Sequence, residues 1–509
     1  MAAWRGPPPC RRVRSLSVRT IEAAFAVRPH RLVGSVADEC VRFSEDKAGE
    51  PLYRRVARSV RIFADDMAGT SGRIVWQYPF MSRARFIQMS PAPRSTMATV
   101  PRVAGLASPT FTGRMIRRFA GRSVSILVLG LVAMSGPLAG PAAPMRHPGA
   151  LNAREQFAGV AQAVRQGRQP WAASFARLRA NAHDDPAYTP RPVAVLVRGA
   201  APGQPAENYA RLFNDAAAAY ALALDWRLTG DTRRAATAAA ILNAWASTLT
   251  TITGTSDQYL ASGLYGYQLA VAAETLRDFS GWQAQDRAAF ARMLLGVFAP
   301  MNEAFLAHHN GAAIDHYWAN WDLSNVAALV AIGVFTDRRD LYERGRDYYL
   351  NGPGNGAILH AAWKTYPGGL AQWQESGRDQ GHTLLGIGLA GTLCEIAWQQ
   401  GDDLFGAYDN RLLAAARYVA RYNLGGEVPY TPYTNSDVTQ PVISDKGRGE
   451  IRPIWSLLVG HYVQRKHLAA PELVQAATQA GPDGGGGDYG PNSGGFDQLG
   501  YGSLTFTVP

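Results

Sequence analysis

From about residue 150 onward, apolar positions recur at three- and four-residue spacing in one block after another. The segments 206–228, 232–247, 266–279, 284–308, 318–335, 382–399, 411–421 and 453–465 carry this spacing, which predicts helices. Turn signals separate them: Gly230-Asp231, Gly281, Asn310-Gly311, Asp337 and Gly401-Asp402-Asp403. Strand-like blocks do not alternate with helical ones, and there is no fixed-length repeat. The body is therefore expected to be all-α dominated. Helix pairs of this length assemble as a bundle, a solenoid or an α/α toroid, and the pattern does not choose among them.

Two stretches, 351–381 and 425–453, break the pattern with Gly, Pro and aromatic residues. Long irregular loops in a helical protein more often carry function than decoration. Residues 471–509 form a Gly-rich tail, and the alternation in 504–508 (LTFTV) predicts a short strand within it.

Composition changes the picture at the N-terminus. The chain of 509 residues carries a net charge of +11, but residues 1–114 hold 19 of the 51 basic and 8 of the 40 acidic residues, so the rest of the chain balances. The basic excess thus gives no argument for nucleic-acid binding by the helical body. Residues 115–143 read as a signal peptide, with Arg117, Arg118 and Arg122 before the apolar run SVSILVLGLVAM and small residues after it. That pattern makes Met115 the expected start, 1–114 an over-extended reading or disordered extension, and 144–470 the working domain. The protein is then expected to be secreted or periplasmic, without stable membrane insertion once the signal is cleaved. Cys394 is the one cysteine after this signal and sits in an apolar helix, where a packed core residue is expected.

Three clusters combine aromatic, amide and ionisable groups: HYWANWDLSN (316–325), WQESGRDQGHT (373–383), and VPYTPYTN (428–435) followed by GRGEIRP (447–453). Aromatic faces beside polar hydrogen-bonding groups suit a sugar site. Arg378 and His382 are four apart, so on a helix they face the same way, with Glu375 close to that face. Each cluster also has an ordinary structural reading. Asn320 can bridge buried backbone, Arg378 can pair with Glu375 and Asp379, and Trp318 and Trp321 can belong to the core. Tyr430 and Tyr433 can pack a Pro-rich turn, and Arg448 and Arg452 can pair with Asp445 and Glu450. His308, His309 and His316 come with no metal-binding spacing, so no metal is expected.

These clusters, with GIGLAGTLCEIAWQQGDDLF after the second and GRGEIRPIW in the third, resemble the alginate-lyase-type polysaccharide lyases, over about residues 257–462. The resemblance implies an incomplete (α/α) toroid and cleavage of a uronate polymer such as alginate or glucuronan by β-elimination, without a cofactor. The better-known alginate lyases carry Asn-His before Tyr-Trp, whereas this chain has Ile314-Asp315-His316-Tyr317-Trp318. The family's roles fall on Asn320 as neutraliser of the sugar carboxylate, helped by Arg448 or Arg378. His382 becomes the base, alone or as part of a His/Tyr pair, and Tyr430 or Tyr433 the acid, which can also serve as base on one epimer. Substrate contacts are expected from Arg378, Trp318, Trp321, Trp373, Gln374, Glu375 and His316. The expected partner is an acidic polysaccharide, not nucleic acid, bound by a monomer. Two rival readings stand beside this one. A hydrolase would need paired carboxylates, for which Asp322, Glu375 and Asp379 are candidates, and a binding protein would show no turnover.

Overall fold

Among the described residues, in chain order, the helices begin with α1 (Arg154–Arg165) and α2 (Trp171–Ala180), followed by strand β1 (Val195–Arg198). Helices α3 (Ala210–Thr229) and α4 (Thr232–Thr248) come next, then β2 (Thr251–Gly254) and α5 (Asp257–Leu276). Helix α6 (Ala284–Met293) runs through a wider π-type turn into α7 (Ala299–His308), and α8 (Ala319–Phe335) and α9 (Arg339–Asn351) follow. Past the short α10 (Ile358–Ala361) lie the hairpin strands β3 (Lys364–Tyr366) and β4 (Leu370–Gln372). Then come α11 (Gln380–Gln400), α12 (Ala407–Asn423) and the small hairpin β5 (Tyr433–Thr434) and β6 (Thr439–Gln440). The chain ends with α13 (Trp455–Leu458), α14 (Pro471–Ala480) and α15 (Gly502–Thr505). This computed structural model describes residues 144–508, apart from 201, 202, 204 and 490–495. The basic stretch 1–114, the signal pattern at 115–143, Cys10 and Cys40 lie outside the described residues.

Burial sorts the helices into two layers. In α5 every residue from Ala261 to Leu276 is buried, and in α8 every residue except Trp321. Helix α11 is buried without a break from Thr383 to Ala397. A helix buried all round must be covered on every side. Accordingly α8 packs against both α5 and α11, and α5 against α3, so these four form an inner row. Helices α4, α9 and α12 pack behind α3, α8 and α11 respectively. They bury one stripe only, as in α9, where Leu341, Tyr342, Gly345, Tyr348 and Tyr349 turn inward. This is the paired, two-layered layout of an α/α toroid.

Small residues let the inner row close up. A Cβ on Gly263 would lie 2.4 Å from the Ser324 hydroxyl, so α5 and α8 nearly touch there. Helix α5 begins at Asp257, well before residue 266, and the Gly263 crossing lies in that earlier stretch. The sequence pattern missed α1, α2, α9 and α14, which lie outside the inner row.

The tail corrects one expectation. Residues 504–508 do not form a strand; 502–505 are the short helix α15, and the described tail has a single isolated bridge, Gly485 to Gly500. The fully buried Asp483 accepts the backbone N–H groups of Gly502 at 2.8 Å and Ser503 at 2.6 Å. Those bonds cap the first turn of α15, and Leu504 and Phe506 both end up in the core. Among the described residues, no helix is long and apolar enough to cross a membrane.

Candidate active site

A single tight turn, Gln374–Gly377, organises the site. It links β4 to α11, and its side chains reach the start of α8. Gln374 accepts the N–H of Ala319 at 2.9 Å; Glu375 accepts the Asn320 N–H at 3.3 Å and the Asn320 side-chain amide at 3.1 Å. The first N–H groups of a helix have no partner within it, and an anion there also meets the favourable end of the helix dipole. Gln374 and Glu375 thus cap α8 from another part of the chain. Burial pushes the Glu375 carboxyl above the usual range, against the pull of Arg378 and His382.

Asp379 caps α11, accepting the N–H of His382 at 2.8 Å. Both its oxygens also lie 2.8 Å from His382 Nδ1. Burial opposes the charge on Asp379, yet the bonds from His382 and the nearby Arg378 hold it down at about 2. An ionised carboxylate accepts only, so Nδ1 carries a proton and donates it. In the neutral imidazole this leaves the lone pair on Nε2, which accepts from Arg378 Nη2 at 3.1 Å. Arg378 in turn holds Glu375 at 2.8 Å through Nη1, and its guanidinium lies 5.2 Å from the Trp318 ring centre. The His382 side chain is 42% exposed and that of Arg378 25%.

The 430–433 loop comes to the same turn. Gln374 donates its side-chain amide to the Tyr433 hydroxyl at 2.6 Å. Tyr433 is nearly buried between Trp318 and Trp363, and burial raises its phenol although the Gln374 bond pulls the other way. The Tyr430 hydroxyl lies against Gly377, where a Cβ would come within 2.2 Å of it, and donates to the Gln440 carbonyl. Burial lifts the Tyr430 phenol to about 12.

Asn320, Gln374, Glu375, Arg378, His382, Trp318 and Tyr433 are therefore joined by direct contacts, with Tyr430 beside the turn. Other candidates sit elsewhere. Arg448 stacks on Tyr422 and bonds the carbonyls of Tyr422 and Gly426, with Asp445 at 3.3 Å, so it fastens its loop to the end of α12. Trp373 is fully buried beneath Gly386 and has no face for a ligand, which corrects its reading as a substrate contact. Trp321 packs on Phe305 and Tyr317. His316 is half exposed and pairs with Asp437 at 2.8 Å. Two residues near the site were missed. Asp379 was legible as an ion-pair partner and as a hydrolase carboxylate but not as the cap that orients His382, although an Asp three residues before a His at a helix start is a recognisable cap. Trp363, in the first irregular stretch, carried no signal.

The carboxylates needed by a hydrolase are committed elsewhere. Asp322 is buried and bound by His309, Tyr348 and the Gly356 N–H; Glu375 is buried under Asn320 and Arg378; Asp379 holds His382. None of the three is left to flank a glycosidic bond as such an enzyme requires.

Comparison with known proteins gives the family of the chain. The family model described as Alginate lyase matches residues 159–428, more than half of the chain, including the start of α8 and the whole 373–382 segment. The protein is thus a polysaccharide lyase. More narrowly, the chain belongs to the alginate lyase family. Solved structures similar to it include an alginate lyase from Bacteroides ovatus, 16% identical, with 72% of this chain and 100% of that chain covered at a TM-score of 0.49. Alginate lyase A1-III from Sphingomonas species A1 is 14% identical, with coverage of 72% and 98% and a TM-score of 0.45. A variant of A1-III complexed with a tetrasaccharide is also similar, at 14% identity, coverage of 72% and 97%, and a TM-score of 0.47. No curated protein sequence matches.

Proposed function

We propose that this lyase cleaves a uronate-containing polysaccharide by β-elimination, with His382 as base and Tyr433 as acid. The observation that carries the reading is the imidazole pinned at Nδ1 by Asp379, with its Nε2 lone pair beside a partly exposed guanidinium. The C5 proton of a uronate is weakly acidic, and it becomes removable once the adjacent carboxylate is neutralised. Arg378 is placed to neutralise it. Its Nη2 leaves His382 for the sugar carboxylate, which both balances the substrate charge and frees the base. Asn320, expected as the chief neutraliser, is buried with its amide on Glu375, so in this reading it holds Glu375, and through it Arg378, in place.

His382 Nε2 then takes the C5 proton, the electron pair forms the C4–C5 double bond, and the C4–O4 bond breaks. Tyr433 gives its proton to the departing O4. Because Gln374 donates to the phenol oxygen, the phenol proton is not spent on that bond, and burial keeps it in place until needed. Stabilising the enolate-like charge by fixed cations and dipoles is the main source of rate. The family supports alginate as the polymer, with a glucuronan as the alternative. The signal pattern at 115–143 supports action outside the cytoplasm, and N-terminal sequencing of the exported protein tests it: a start near residue 140 is expected, and a start at residue 1 contradicts it.

The test of function is a panel of alginate, glucuronan and other polyuronates, read by ultraviolet absorbance of unsaturated uronate ends. Growth of absorbance on at least one polymer is expected. Bond cleavage without absorbance refutes the elimination.

A further inference from the structure

The inner helices run in parallel, which brings a second sugar-compatible cluster to the same end of the layer as the active site. Tyr209, just before α3, stacks against Tyr265 of α5, while near the other end of the same pair Arg227 donates to the Thr275 carbonyl. Gly263 of α5 meets Ser324 of α8, and Gly266 meets Ala328 one turn on. The starts of α3, α5 and α8 therefore share one end, and the 374–377 turn caps α8 at that end.

At the start of α3 lies Arg198, the last residue of β1. Its guanidinium sits 5.0 Å from the Tyr209 ring centre and 5.7 Å from that of Tyr265, and it donates to the Tyr265 hydroxyl at 3.1 Å. The two rings lie 13° from parallel, so the cation rests against an aromatic platform. Arg198 and Tyr209 are both partly exposed. Among the described residues Arg198 has no carboxylate in an ion pair. Of the acids nearby, Glu207 is held by the Gly199 N–H, and Asp257 stands beside Gly199. On the neighbouring helices, the partly exposed Tyr259 of α5 and Trp321 of α8 both pack on the buried Phe305.

We propose that Arg198 and Tyr209 form a remote subsite for a uronate residue of the polymer, distant from the bond that breaks. The guanidinium fork takes the sugar carboxylate in a two-point, charge-assisted contact, and the Tyr209 ring takes the sugar face. This rests on the uronate-lyase reading above. The contact forms with the bound polymer and persists through the reaction, so it contributes to binding and not to the chemical step.

The experiment compares the wild type with Arg198→Ala and Arg198→Lys across a ladder of oligouronates and the polymer, following KM and kcat. For long substrates KM is expected to rise about 10-fold in Arg198→Ala with kcat within about twofold, the loss of uniform binding. Lys is expected to recover part of the loss, since it keeps the charge and not the fork. For the shortest cleavable oligouronate the variants are expected to match the wild type. Equal KM at every length overturns the subsite. A direct measurement separates this inference from the catalytic one: calorimetric binding of a long oligouronate to His382→Ala, with and without Arg198→Ala. About 10-fold weaker binding in the double variant supports the subsite even if no polymer is cleaved. Unchanged affinity overturns it, even if the enzyme proves to be a lyase.

Discussion

Two imidazole–carboxylate–phenol clusters lie almost side by side on α8, one reached through Asn320 and the other through Asp322. In the first, His382 and Arg378 meet solvent and the Nε2 lone pair is shared only with the partly exposed Arg378 guanidinium. In the second, His309 Nε2 lies 3.0 Å from Asp322 and 3.3 Å from the Tyr348 hydroxyl, Tyr348 donates to Asp322 at 3.0 Å, and all three are buried. The second cluster also takes the Gly356 N–H and so fixes the glycine-containing loop after α9 against α8. The residue types are nearly the same. What separates a reactive cluster from a structural one here is access and a valence left for a substrate.

That comparison breaks most sharply at the two histidines. His382→Ala is expected to lower kcat/KM by about 1000-fold, in the range of a lost general base, with the melting temperature almost unmoved. His309→Ala is expected to do the reverse. Leaving Asp322 short of a buried partner costs about 2 kcal/mol of stability, seen in denaturant melts, while the folded fraction keeps most of its turnover. A His309 variant that is stable but inactive would erase the distinction.

The phenols give the next test. Tyr433→Phe is expected to lower kcat by about 100-fold, whereas Tyr348→Phe costs about 1 kcal/mol of stability and little activity. Smaller again is Asp379→Asn, which replaces an acceptor-only carboxylate with a neutral amide that can also turn a donor toward Nδ1, so the tautomer is no longer fixed, and a fall in kcat of about 10-fold is expected. Losing more activity at Asp379 than at His382 would shift the base to the carboxylate.

The smallest effect is in acid. Asp379 is held near 2, below its unfolded value of about 3.9. Its stabilising contribution is therefore complete above about pH 4 and is lost as the pH falls through about 2. In Asp379→Asn that part of the acid unfolding curve is expected to flatten, while the curve of Tyr348→Phe keeps it.

Much of this was legible in the sequence, for physical reasons. The inner helices announced themselves as long apolar blocks because they are covered on all sides, and Gly230 and Gly401 marked helix ends by the left-handed backbone they adopt there. The 373–383 cluster stood out because a cap, a turn and an imidazole crowd into one short span. Other features depend on contacts that the linear order hides. Trp373 read as a sugar platform because an indole in a loop gives no sign that Gly386 of α11 will cover it. The alternation in 504–508 resembled a strand, but buried Asp483 captures the backbone first and winds it into a helical turn. Arg448 lies in a motif shared with the family resemblance, yet its bonds run to the end of α12. Glu375 reads as a substrate contact, and only Asn320, brought to it from fifty-five positions away, shows it buried as the cap of α8.

The most direct measurement counts two kinds of chain end in one digest of a cleaved polyuronate: unsaturated uronate ends by absorbance and new reducing ends by chemical assay. Proton abstraction by His382 with departure of O4 predicts one unsaturated end for every reducing end, in the wild type and in whatever slow activity His382→Ala retains. Reducing ends that accumulate without unsaturated ends, or a His382→Ala enzyme that makes both at the wild-type rate, would contradict the account.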